Sequence, residues 1–119
     1  MEKINLSEKF DLIKDTWKPA IAGELNGQHV KLAKIQGEFI FHKHEQEDEF
    51  FLVIKGKMKM EFERNSVIVN EGEFIIIPRG TLHKPVAEEE THLLLFEPAS
   101  TVNTGNIDNE MTVKKPVKL

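Results

Sequence analysis

His42-Lys43-His44-Glu45-Gln46-Glu47-Asp48-Glu49 is the stretch whose reading decides the fold. Alternate side chains of an extended chain share a face, so His42 and His44 project together. The polar run from Glu45 to Asp48 is short enough for a turn. A reversal there brings Glu49 back beside the two histidines at the start of a returning strand, and Gly56 closes the block. A second block follows downstream: Gly72, five residues, Pro78-Arg79-Gly80, two residues, His83. Its Pro-Arg-Gly step suits a tight turn that aims His83 from a distant strand. Three imidazoles and one carboxylate suit iron, manganese, nickel, cobalt, copper or zinc. The expected cofactor is therefore one divalent transition-metal ion on His42, His44, Glu49 and His83. An octahedral ion with four protein ligands keeps two positions open for water, dioxygen or a bidentate substrate.

Outward from these blocks the chain reads as many short strands separated by turns, which predicts an all-β sandwich or barrel. Ser7-Glu8-Lys9-Phe10 caps and opens a short helix with Leu6, Phe10 and Ile13 at helical spacing. Trp17 and Pro19 end it, and a Gly23 to Gly27 turn leads into strands from Gln28 onward. Met58, Met60 and Phe62 alternate with Lys57, Lys59 and Glu61, the pattern of a half-buried strand. Arg64-Asn65-Ser66 makes a hairpin turn before Val67-Ile68-Val69. Further strands are expected over Phe74 to Ile77, Leu82 to Val86 and His92 to Phe96, with Glu88-Glu89-Glu90 as a solvated turn between the last two. One domain of residues 1–119 is expected, with a helical segment 1–27, a barrel core of about 28–97 and a loose tail or exchanged arm at 105–119.

Composition narrows the function classes. The 119 residues carry a net charge of -4 and no basic cluster, which argues against nucleic acid. No apolar run approaches the roughly 20 residues that span a bilayer, and the N-terminus lacks the features of a signal peptide. The expected setting is the cytoplasm, with no membrane partner. Cysteine is absent, which removes disulfides and thiol chemistry.

Taken with their glycines, the two blocks resemble the motifs of the cupin superfamily. Gly37, His42, His44, Glu49 and Gly56 occupy the places of the first motif, with a spacer one residue shorter after Gly37. Gly72, Pro78, Gly80 and His83 match the second, and Ala87 stands where asparagine is often found. The resemblance spans about residues 28 to 97 and implies a jelly-roll, or double-stranded β-helix, barrel. The ending Phe96-Glu97-Pro98, with Asn103-Thr104-Gly105, is similar to small single-domain cupins labelled mannose-6-phosphate isomerase-like. Cupins of this size are commonly dimers. The absence of tyrosine and cysteine speaks against the thiol dioxygenase branch and against tyrosine-dependent sugar epimerases.

Strand parity then describes the pocket. With Glu49 inward, Phe51 and Val53 point inward and Phe50, Leu52 and Ile54 outward. The outward set is apolar too, so cover must come from the N-terminal helix or a second subunit, and a homodimer is expected. The inward lining is mostly apolar: Ile40, Phe51, Val53, Ile75 and Ile77. Arg79, Lys43 and Lys84 read as solvated charges, which weakens a phosphosugar substrate because a buried dianion needs several positive donors. His29 and His92 read as structural or surface residues. Two functions remain open. One is a metal-dependent enzyme on a small organic molecule, of dioxygenase or isomerase/lyase type. The other is a non-catalytic metal-containing module that binds or senses a small ligand.

Overall fold

The computed structural model describes residues 1–119. After a helix α1 (Leu6–Asp11) come seven strands: β1 (Ala20–Leu25), β2 (Gln28–Glu38), β3 (Glu49–Lys55), β4 (Lys57–Glu61), β5 (Ser66–Asn70), β6 (Phe74–Ile77) and β7 (Lys84–Pro98). All strand pairs are antiparallel. The path β1-β2-β7-β3-β6 forms one run, and β4 joins it through β7 while carrying β5 on its other edge. The strands curl into the expected jelly-roll barrel. No helix is long and apolar enough to cross a membrane.

Period-two alternation builds the interior. Strand β3 buries Glu49, Phe51 and Val53 and leaves Phe50, Leu52 and Ile54 half-buried on the other face, as its parity predicts. Met58 and Met60 of β4 and Leu93 and Leu95 of β7 meet the inward side chains of β3. A separate cluster of Phe10, Ile13 and Leu32 seats the helix on the outer face of β2, where Ile54 and Leu94 pack against it.

Local chemistry corrects several expectations. Asn5, not Ser7, caps the helix, its Oδ1 accepting from the Glu8 amide at 3.0 Å. The helix ends at Asp11, well before Trp17. Residues 23–27 are not one turn: Gly23 lies within β1, and only Asn26-Gly27 reverses the chain. Both have positive φ, 49° and 75°, as a two-residue hairpin of the favoured twist requires. Nor does the chain turn at Glu88-Glu89-Glu90. Strand β7 runs through them as an exposed bulge, because β2 pairs Ile35 with Thr91 and then Gly37 with Ala87. The extra β7 residues bend the strand, so one end pairs β4 and the other pairs β3.

The segment from Gly105 is not a loose tail. The Ile21 amide donates to the Val117 carbonyl, and the Leu119 amide donates to Ile21, both at 2.8 Å. Lys43 and Asn106 exchange two further hydrogen bonds of 3.0 Å each. Gly105 has φ 56°, and a side chain there would collide with the Lys43 carbonyl. The segment therefore braces the backbone between His42 and His44. Gly105→Ala combines this collision with left-handed strain, and should destabilise the protein by about 1–3 kcal/mol. Gly27→Ala, with open space around the added methyl, carries the strain alone. Thermal denaturation should show the larger loss at Gly105, and equal losses would mean that the contact is unimportant.

Candidate metal centre

Backbone pairing places the first two donors. The His42 amide donates to the His83 carbonyl at 3.0 Å and the His83 amide returns the bond at 2.9 Å. This isolated antiparallel bridge sets both imidazoles on one face with ring centroids 4.3 Å apart. His44 follows in extended chain outside any continuous strand. Its carbonyl accepts from the Gly80 amide at 2.8 Å. The Pro78-Arg79-Gly80 turn is held in turn by Asp48, which accepts from the Arg79 amide at 2.9 Å and from its Nε at 3.2 Å. Glu49 opens β3 opposite Ile77.

All four residues are buried, and one donor atom from each lies within 4.8 Å of the others. His44 Nε2 stands 3.0 Å and His83 Nε2 3.4 Å from Glu49 Oε1. These contacts are close but poorly aligned, leaving all three atoms buried without a hydrogen-bond partner. Such groups are costly to bury, and a cation at their centre would satisfy them together. The opposite ring nitrogens agree with this. His42 Nδ1 lies 2.9 Å from the Ile40 carbonyl and His83 Nδ1 2.8 Å from that of Thr81. An Nδ1–H donated to a carbonyl leaves Nε2 as a free lone pair. The cluster therefore fits a metal site.

Electrostatics favour the metal-binding protonation states of two donors. Burial, helped by His83, lowers the His42 pKa to about 4, so the ring is neutral near pH 7. Burial would raise the Glu49 pKa, but the neighbouring His44 and His83 outweigh it and hold the carboxyl well below its ordinary range. The same carboxylate overcomes the effect of burial at His44 and raises its pKa.

Beside the cluster lies a cavity of about 40 Å³. His42 and Glu49 reach it, and Trp17, Phe39 and Phe51 supply aromatic walls. Phe39, buried, occupies the role expected of Ile40, which is half-exposed. Trp17 stacks on Phe39 at 4.9 Å and donates through Nε1 to the Gln36 carbonyl at 2.9 Å. The three cations near the motifs stay outside: Arg79 pairs with Asp48, Lys43 with Glu45, and Lys84 with Glu38 and Glu61. His29 pairs with Glu24 and His92 stacks on Phe10, both in the structural roles expected of them.

Sequence reasoning missed a second buried carboxylate on the cavity wall. Glu97 lies 3.6 Å from the Lys31 ammonium, with both side chains under 5% exposed. Burial and the charge of Glu49 push the Glu97 pKa up to about 8, against the pull of Lys31, His44 and Thr101. The signal was present in strand parity. Leu93, Leu95 and Glu97 alternate inward on β7, as Lys31, Ala33 and Ile35 do on β2.

Known proteins are similar to this chain in sequence or in fold. The Bacillus subtilis (strain 168) uncharacterized protein YdbB is 32% identical over 62 residues, 51% of this chain and 55% of YdbB. The match thus spans only about half of that relative. A cupin-2 domain containing protein from Shewanella frigidimarina is 38% identical with a TM-score of 0.79, covering 80% of this chain and 93% of its own. Hydroquinone 1,2-dioxygenase from Sphingomonas sp. TTNP3 aligns with a TM-score of 0.73 over 83% of this chain and 33% of its own. At 17% identity that likeness concerns the fold alone. The Cupin_2 family, described as cupin domain, matches residues 28–97, and with the two motifs on one barrel the chain belongs to the cupin family.

Proposed function

We propose that this cupin is a metal-dependent enzyme acting on a small organic molecule, by dioxygenase or isomerase/lyase chemistry. His42, His44, Glu49 and His83 would hold one divalent transition-metal ion. The observation that carries the reading is the convergence of four buried donors, three of them without any other partner, beside a cavity with apolar walls. When bound, the ion supplies Lewis-acid or redox chemistry. The chain's own residues orient the imidazoles of His42 and His83 through the Ile40 and Thr81 carbonyls and line the adjoining space with Trp17, Phe39 and Phe51. A mannose 6-phosphate substrate gains no support, because Arg79, Lys43 and Lys84 are engaged outside the cavity. The dioxygenase among the structural neighbours is consistent with the reading without deciding the reaction.

We further propose a homodimer. The helix cluster covers Ile54 and Leu94, but the same sheet face leaves Phe74 59% and Ile76 55% exposed next to Phe50 and Phe96. The Phe50 and Phe74 rings already meet, tilted by 31° with centroids 4.8 Å apart. A contiguous apolar patch on the terminal strand of a sheet suits a second copy of itself.

Chelator should lower the melting temperature of the metal-loaded protein, since a ligand at 100 times its Kd stabilises by about 2.7 kcal/mol. A His42→Ala/His83→Ala variant should hardly respond, and equal responses would place the metal elsewhere. A screen of diketones, catechols and hydroxy acids against iron-, manganese- and nickel-loaded protein tests catalysis. Turnover that disappears in His44→Ala supports an enzyme, whereas ligand-induced stabilisation without turnover supports a sensing module. Analytical ultracentrifugation should show a dimer that Phe74→Glu/Ile76→Lys converts to monomer. A monomeric wild-type protein at tens of micromolar rejects the dimer.

A further inference from the structure

The Lys31–Glu97 pair lies outside the barrel's apolar cluster, and Glu97 lines the cavity beside the metal-ligand candidates. Register places it. Strand β3 pairs Phe50 with Phe96, and continuing that register by one residue sets Glu49 opposite Glu97. On the other side β2 pairs His29 with Glu97 and Lys31 with Leu95. Glu97 thus stands on the cavity wall one strand from the metal cluster, and side chains at facing positions lie about 5 Å apart at Cβ.

The pair is incompletely satisfied. Lys31 Nζ lies 3.6 Å from Glu97 Oε1 and donates to the Thr101 carbonyl at 3.4 Å. Glu97 Oε2 is buried with no hydrogen-bond partner, as is the Thr101 hydroxyl. Burying two ionisable side chains in a small barrel is costly and adds little stability over apolar residues of the same size. Glu97 lines the cavity, and a carboxyl oxygen left without a partner has a use if something bound there donates to it.

We propose that Glu97, braced by Lys31, recognises the organic ligand of this cupin, a small uncharged molecule that presents a hydroxyl to Glu97 and a neighbouring carbonyl or hydroxyl oxygen to the His42, His44, Glu49 and His83 cluster. The inference rests on the metal-dependent reading and names its substrate class. Each property has its source in the cavity. The volume of about 40 Å³ admits few heavy atoms. Trp17, Phe39 and Phe51 take the carbon frame. An anionic group at this end would meet the Glu49 carboxylate on the facing strand, and the nearby Lys31 ammonium is already engaged with Glu97 and with Thr101.

Hydroxyacetone and acetone differ by the hydroxyl in question, and calorimetric titration into metal-loaded protein compares them. Hydroxyacetone should bind at least about tenfold more tightly. Lys31→Met/Glu97→Leu removes both polar groups together, so neither is stranded, and should bind the two compounds alike at unchanged metal content. Glu97→Gln, read if the double variant fails to fold, should narrow the preference. The inference is overturned if wild-type protein containing one ion per chain ignores hydroxyacetone or does not discriminate. It is equally overturned if the preference survives the double substitution or, where that variant does not fold, Glu97→Gln. Wild-type protein that takes up no metal instead overturns the metal reading itself, a result that elemental analysis of the same samples separates from the others.

Discussion

Two backbone hydrogen bonds between His42 and His83 decide whether this barrel has a centre at all. They join segments 41 residues apart in sequence and do so outside any regular strand. Each bond is modest in energy, on the order of 1 kcal/mol, but together they orient two imidazoles toward the same point. His44 and Glu49 then need only the continuation of the chain. The neighbouring turns are tied to each other by Asp48 and Arg79, so the two motif blocks are bound by backbone amides before any metal contributes.

The architecture was legible where side-chain alternation was strict. Glu49, Phe51 and Val53 could be assigned to the interior because β3 has a clean period of two, and the four donors followed from motif spacing. Strand β7 was not legible. Glu88-Glu89-Glu90 has the composition of a turn, and only the pairing with β2, against which β7 carries the extra residues, shows that the charged run is the outside of a bend. Composition also misled at the far end of the chain, where polar residues suggested a loose arm. Their hydrogen bonds go to Ile21 and Lys43, partners that local sequence does not name.

Glu97 was hidden for a different reason. A glutamate after a phenylalanine and before a proline reads as the polar end of a strand. Its inward parity follows from Leu93 and Leu95, but the reading is convincing only when a cation occupies the matching inward place on β2. Lys31 fills that place in a segment whose other inward residues, Ala33 and Ile35, are apolar. Buried charge on one strand is an anomaly, and on two neighbouring strands it is an arrangement.

The bracing of Lys43 by Gly105 and Asn106 also bears on how the protein is made. During synthesis His42, His44, Glu49 and His83 leave the ribosome before residues 105 to 119 do. Until that later segment emerges, the loop between His42 and His44 lacks the two hydrogen bonds that hold it. The order of that loop thus depends on a contact 63 residues away in sequence, and a chain without it would hold the loop less firmly.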